Sequence, residues 1–363
     1  MLVDVKCQSC AADLTYEPGT TSLICGHCSY EMEIEQPLQA TNAHVEFDLE
    51  SYLDNYESCQ EQIEALTVAC DSCGASTEFG TDVKATHCAF CDTPLVLSRA
   101  ENKKRIKPQG ILPFKVNREK AVGNFGSWVK GLWLAPNDLK NHAKNYERFQ
   151  GIYLPYWTYD CDVATDYRGE RGTNYQVTKS VTNSEGKTEF KTETKTRWKK
   201  VSGSVETTFD DVLVPATKSL KAKQLHKLEP WDLSRMVDYS DSYLQGYQAE
   251  TYQVDIKQGY SDAKDRMQFK INEVIREDIG GDKQSISATE SVYTNATFKH
   301  LILPVWVTSY RYKEKVYQVL VNAQTGEVQG DRPYCPIKVG LLTAFGVLVG
   351  VAIGLLKHKL ENS

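Results

Sequence analysis

The chain has 363 residues, 41% of them hydrophobic and 25% charged, which predicts about two or three domains with ordinary globular cores and speaks against a largely disordered chain. The formal net charge of −6 is unevenly spread, because Cys7 to Val83 contains no Lys or Arg against fifteen Asp and Glu. Residues 1–6 cancel, so the −6 total less −15 leaves +9 from Lys84 onward. The acidic first part speaks against phosphate-backbone binding, whose affinity comes from Lys and Arg releasing counterions.

A four-cysteine pattern occurs first as Cys7, Cys10, Cys25 and Cys28, then 63 positions later as Cys70, Cys73, Cys88 and Cys91, both C-x2-C-x14-C-x2-C. Two thiolates at CxxC spacing can face one ion from a tight turn, and a second turn across a hairpin completes a tetrahedron of soft ligands. The pattern predicts two structural Zn2+ sites in zinc ribbons at residues 1–35 and 68–98. A thioredoxin-like redox pair, a disulfide framework and a rubredoxin-like iron site are the alternatives, the first disfavoured by the absence of a βαβ context. His27 and His87 read as residues of the knuckle turns, and Gly26 is expected to relieve one of them. Cys59, Cys161 and Cys335 remain as plain thiols, which fits a reducing compartment. No charged or apolar leader precedes Cys7, so the bulk is expected in the cytoplasm.

Between the ribbons, residues 36–67 read as an acidic helical connector. Leu49, Tyr52, Leu53, Tyr56, Cys59, Ile63 and Leu66 recur at three- and four-residue steps, with Asp48 as N-cap. Packing on the neighbouring ribbons is favoured over a short coiled coil with a partner. Arg99, Lys103, Lys104, Arg105 and Lys107 then mark residues 99–110 as a basic linker, solvated rather than bound to phosphate or lipid headgroups.

Residues 111–335 read as a β-rich α+β domain with a loose internal duplication, about 111–215 and 226–334. The guide is Leu154-Pro155-Tyr156-Trp157, echoed by Leu303-Pro304-Val305-Trp306. Each follows an extended run (Ile111 to Val116, Tyr252 to Ile256) and a helical stretch (Arg118 to Trp133, Ser261 to Ile279). Val316 to Val328 reads as two strands joined through Gln324-Thr325-Gly326. In Lys187 to Lys199 charged residues hold the odd positions, the alternation of a strand, and Asn183-Ser184-Glu185-Gly186 reads as the turn of a projecting hairpin. The many Tyr and Trp are expected in core and sheet surfaces rather than in a groove.

Residues 339–356, Val339 to Leu356, contain only Gly, Ala, Thr and apolar side chains and are closed by Lys357-His358-Lys359. Eighteen residues span about 27 Å as a helix, enough for a membrane. Gly346, Gly350 and Gly354 form a small-xxx-small face that implies self-association or pairing with a partner span. Arg332 and Lys338 balance Lys357 and Lys359, so flanking charge does not orient the span. The reduced thiolates do, and predict a single-pass tail anchor in the cell membrane with a cytoplasmic bulk. Cys335 lies next to the bilayer, expected as a free thiol rather than acylated.

Nothing predicts an enzyme. Gly186-Lys187-Thr188 resembles the end of a nucleotide loop, but Val181 stands where its first glycine belongs. Four cysteine ligands per site leave no open coordination position.

The two ribbons, the β-rich middle with Leu-Pro-Tyr-Trp and the terminal span together resemble the YdjG-like family of bacterial zinc-ribbon membrane proteins. That resemblance implies a membrane anchor that recruits PspA-type and SPFH (flotillin-like) proteins in envelope stress. The ribbons are also similar to those of transcription factor TFIIB and the helicase PriA, whose helicase motifs the chain lacks. The expectation is therefore a non-catalytic, tail-anchored protein-binding platform, with a membrane-tethered nucleic-acid-binding protein as the alternative.

Overall fold

The computed structural model describes residues 5–35, 45–54, 62–79, 87–91, 93–96, 100–139, 149–182, 188–313 and 315–361. The first strands, β1 (Leu14–Tyr16), β2 (Ser22–Cys25) and β3 (Glu31–Glu33), make a small antiparallel sheet of their own. After β4 (Phe47–Asp48) comes α1 (Leu49–Asp54), where Asp48 Oδ1 accepts from the Ser51 N–H at 2.7 Å as the expected N-cap.

The long connector helix expected over residues 36–67 is corrected. Ile63 and Leu66 lie on a strand, β5 (Gln62–Ala69), which pairs antiparallel with β6 (Ser76–Phe79) on one side and β7 (Glu101–Ile106) on the other. Tyr56 and Cys59 lie outside the described residues. A three-residue step is compatible with more than one structure, and here ladders on both edges of β5 outweigh the local periodicity. The basic linker is corrected for the same reason, since much of it is β7, covering the outer edge of β5. Arg105 is buried there and meets Glu78 at 2.5 Å.

The remaining elements are β8 (Gly110–Ile111), α2 (Arg118–Gly131), β9 (Gln150–Thr182), β10 (Thr188–Pro215), α3 (Ala222–His226), β11 (Val237–Asp238), β12 (Gln248–Glu250), α4 (Ile256–Ile279), β13 (Lys283–Tyr312), β14 (Lys315–Asn322), β15 (Val328–Gly330) and α5 (Pro336–Glu361). With β4 to β7 the strands form one twelve-stranded mixed sheet, so the chain is α+β. Of the extended run from Ile111 only the first residue is on the ladder, and the second helix begins at Ile256, earlier than expected, under its N-cap Asp255.

The two Leu-Pro-x-Trp segments lie side by side. They pair antiparallel about Leu154 and Leu303, and equivalent residues make equivalent bonds. The Trp157 indole N–H donates to the Val254 carbonyl ahead of α4 at 2.8 Å, and Trp306 donates to Val116 ahead of α2 at 2.7 Å. Ala216 N donates to Pro155 O and Ala323 N to Pro304 O. β12 runs parallel to β9 as β8 runs parallel to β13. The copies therefore interlock, each tryptophan closing the helix start of the other, and share one sheet instead of forming neighbouring lobes. Tyr153, Tyr156, Trp157 and Tyr159 are fully buried at this centre, as core rather than groove.

Beyond the centre, β9, β10 and β13 extend as an arm, with α4 laid along it through Ala263, Met267, Ile271, Ile275 and Ile279. β13 starts opposite Gly172, so the distal part is a two-stranded hairpin, Thr188 pairing Thr182. Its predicted turn, 183–186, lies outside the described residues. Phe190 is 77% exposed there, so the uncharged face is solvated along with the charged one.

Candidate metal centres and the terminal helix

Each set of four cysteines is gathered by a repeated turn. Cys7 N donates to Ala12 O, Cys25 N to Tyr30 O, Cys70 N to Ala75 O and Cys88 N to Thr93 O, all at 2.8 Å. The residue four positions after the first cysteine donates back to that cysteine's carbonyl: Ala11 to Cys7, Ser29 to Cys25 and Gly74 to Cys70. These three have φ of 58°, 58° and 75°, in the left-handed region. The strained residue of the second knuckle is thus Ser29, and Gly26 has no positive φ; a non-glycine held left-handed costs energy that the surrounding bonds must offset. His27 is exposed on its turn, while His87, also exposed, lies before its turn in a β-bridge to Pro94, which corrects the expectation that both are turn residues.

The turns bring Cys7 Sγ to 3.5 Å from Cys28 Sγ and Cys10 Sγ to 3.5 Å from Cys25 Sγ; in the second set Cys70 and Cys91 are 3.5 Å apart and Cys73 and Cys88 3.6 Å. Within each set all four sulfurs lie within 4.8 Å of one another. Ligands about 2.3 Å from a tetrahedral zinc are about 3.8 Å apart, while a disulfide needs about 2.05 Å, so both sets fit a single tetrahedral ion. Either group could hold a metal ion. The first cysteine of every pair is buried. Backbone N–H groups of Cys28 and His27 point at Cys25 Sγ and lower its pKa to about 6, while Cys10, despite a lowering backbone bond from Ala12, is pushed up to about 12 by the neighbouring sulfurs, as expected where four thiols crowd one point.

The two centres are seated differently. Cys7 and Cys25 share a core with Leu14, Tyr16, Leu23, Phe114 and Trp306, and the Tyr16 hydroxyl lies 2.9 Å from Thr20 O and 3.1 Å from Phe114 O. Cys70 and Cys88 share theirs with Phe90, Leu112, Ile152 and Tyr156. Their strand β6 joins β12, and Gln318 Nε2 donates to Phe90 O at 2.8 Å.

A third acidic group, Glu46, Asp160 and Asp210, comes from distant parts of the chain, with no spacing signal in the sequence. Beside it the Lys299 ammonium lies 3.2 Å from Glu46 Oε1 and 2.7 Å from Asp211 Oδ1, with its side chain 7% exposed. Of the three carboxylates, Glu46 is already paired with a cation of the protein itself.

α5 is long and apolar enough to cross a membrane, and none of its apolar stretch is buried. An added Cβ at Gly346, Gly350 or Gly354 would meet no atom within 4 Å, so that stripe is open. The root of the helix is tied to the body. Cys335 N donates to Leu134 O at 2.8 Å, and Lys338 Nζ donates to Trp133 O, Ala135 O and Asn137 Oδ1 at 3.0, 2.7 and 2.7 Å. Lys338, by sequence a flanking charge, is a fastening between the helix and the turn after α2.

No protein-family model matches the chain, and no solved structure matches it. The chain is similar to the uncharacterized protein YdjG of Bacillus subtilis (strain 168), with 25% identity over 342 residues that cover 93% of this chain and 92% of that protein.

Proposed function

We propose that the chain is a membrane-anchored protein whose two zinc ribbons are structural and whose cytoplasmic body binds other proteins without catalysis. The observation that carries this reading is α5: an apolar helix whose membrane-length stretch is not buried among the described residues, fastened at its root by three bonds from Lys338 to the soluble body. Exposed apolar surface on this scale needs a bilayer or a partner to cover it. Four soft thiolates at each centre suit zinc and leave no coordination position for substrate or water, which supports a structural metal. The partners this reading takes are the PspA-type and SPFH-type proteins that the resemblance to the YdjG-like family implies, and the open glycine stripe of α5 is the surface for a second span.

The burial of Arg105 also bears on the nucleic-acid alternative. Of the basic residues beside the second centre, Arg105 is spent on Glu78 and cannot reach a phosphate. The full chain, extracted from membranes in mild detergent and captured from cells of its source, should bring down PspA-type or SPFH-type proteins and two zinc ions per chain. Iron in place of zinc, or capture of nucleic acid that survives nuclease-free high-salt washing, would overturn it.

A further inference from the structure

A cleft of about 570 Å³ opens beside the root of α5, between α3, the start of β14 and the segment leading into the helix. Lys221, Lys223, Lys227, Lys315 and Arg332 line it against a single carboxylate, Asp331, which pairs with Lys221 at 2.6 Å. A cleft lined mostly by one sign of charge focuses a positive field and draws anions toward it.

A second feature points to a ligand. Gln224, on the wall of the same cleft, is 7% exposed, and both its amide nitrogen and its amide oxygen lack a hydrogen-bond partner among the described residues. A buried amide with neither end satisfied is costly, and a phosphate oxygen for the N–H with a hydroxyl for the C=O would satisfy it.

The position identifies the source of the phosphate. Arg332 stands four residues before Pro336, at most about 14 Å of chain from the first turn of α5, and Tyr334 on the cleft's rim is 55% exposed. Trp133, 64% exposed, flanks the same root, its carbonyl bonded by Lys338. Exposed Trp and Tyr beside a span, with Lys and Arg at the same level, are the side chains that sit among lipid headgroups.

We infer that this cleft binds the headgroup of an anionic phospholipid in the leaflet that α5 enters, with the lysines and Arg332 holding the phosphate and Gln224 the headgroup's polar atoms. The inference rests on the membrane reading above. It also sets how the body stands on the bilayer: α3 and the β14 edge face the lipid, and the arm of β9, β10 and β13 is left free.

The test uses the full chain in detergent micelles, titrated with phosphatidylglycerol and phosphatidylcholine of matched acyl chains and weighed intact by native mass spectrometry. Phosphatidylglycerol should be retained in preference, and the Lys223→Gln/Lys227→Gln/Lys315→Gln variant should lose that preference by at least about tenfold. Gln224→Leu should weaken retention while leaving thermal stability unchanged or higher. Undiminished retention by the triple variant, equal retention of the two lipids, or displacement by inorganic phosphate at the same concentration as lipid would each overturn the inference. Alkaline carbonate extraction of native membranes separates the two readings. Release of the chain overturns the anchor itself, and a retained chain with unaltered lipid preference overturns the cleft alone.

Discussion

Around Cys7 to Cys28 the strands β1, β2 and β3 form a separate small sheet, whereas around Cys70 to Cys91 the strands β5 and β6 run on into the ladders of β7 and β12. The cysteines and their spacing are the same in both, and the first cysteine of every pair makes the same knuckle bond to the residue five positions on. A module that is a sheet by itself buries too little to hold its form unaided, so its order is expected to depend on an ion held by the four cysteines and on its contact with the body. A module whose strands belong to a larger sheet keeps ladder bonds when the ion is gone. The same cysteine spacing thus sits in two different structural settings.

The largest expected effect is metal removal. Apparent binding free energies of structural zinc are about 10–16 kcal/mol, so chelation of the full chain should abolish amide-exchange protection in β1 to β3 while much of β5 and β6 stays protected. Equal loss in both would show that the second module depends on its ion as fully as the first.

Next is the buried pair at the seam of the second module. Arg105→Met leaves Glu78 buried without its cation and should cost about 3–5 kcal/mol in denaturant unfolding, most of it recovered by adding Glu78→Gln. A loss under about 1 kcal/mol would mean that the seam does not rely on the pair.

Glu250 tests the same seam by pH, since it lies opposite Thr77 of β6. Burial raises its pKa from 4.5 to about 7, against lowering hydrogen bonds from Ser219 and Thr217. The folded chain therefore keeps a proton that the unfolded chain releases between these values, and stability is full below pH 4.5 and falls as pH rises to about 7. Glu250→Gln should match the parent at low pH and exceed it by roughly 3 kcal/mol above neutrality. Parallel pH profiles for the two proteins would refute the assignment.

The smallest effect belongs to the first module. Tyr16→Phe removes the hydroxyl between Thr20 O and Phe114 O and should cost about 1 kcal/mol, read as faster exchange in β1 to β3 with the second module unchanged.

The centres and the terminal helix are legible in the sequence because their causes are local. A CxxC turn presents two sulfurs whatever surrounds it, and an unbroken apolar run of membrane length needs no tertiary partner to be recognised. The repeated Leu-Pro-x-Trp also marks the buried centre, since both tryptophans bury their rings and bond a backbone carbonyl. The failures have a common cause as well. Ile63 and Leu66 stand at a three-residue step that suggests a helix, and Arg105 carries a charge that suggests solvent, while both answers lie in the pairing of β5 with the distant β7.

The chain by itself therefore determined its candidate metal ligands, its candidate span and its α+β character, each of which follows from short-range spacing or composition. Tertiary structure alone decided that β5 to β7 join the main sheet, that each Trp closes the other copy's helix, that Lys338 is a fastening, and that five scattered cations meet at the root of α5. Those outcomes depend on which distant strands satisfy each other's backbone groups and exclude water together, a choice that local periodicity and residue charge do not encode.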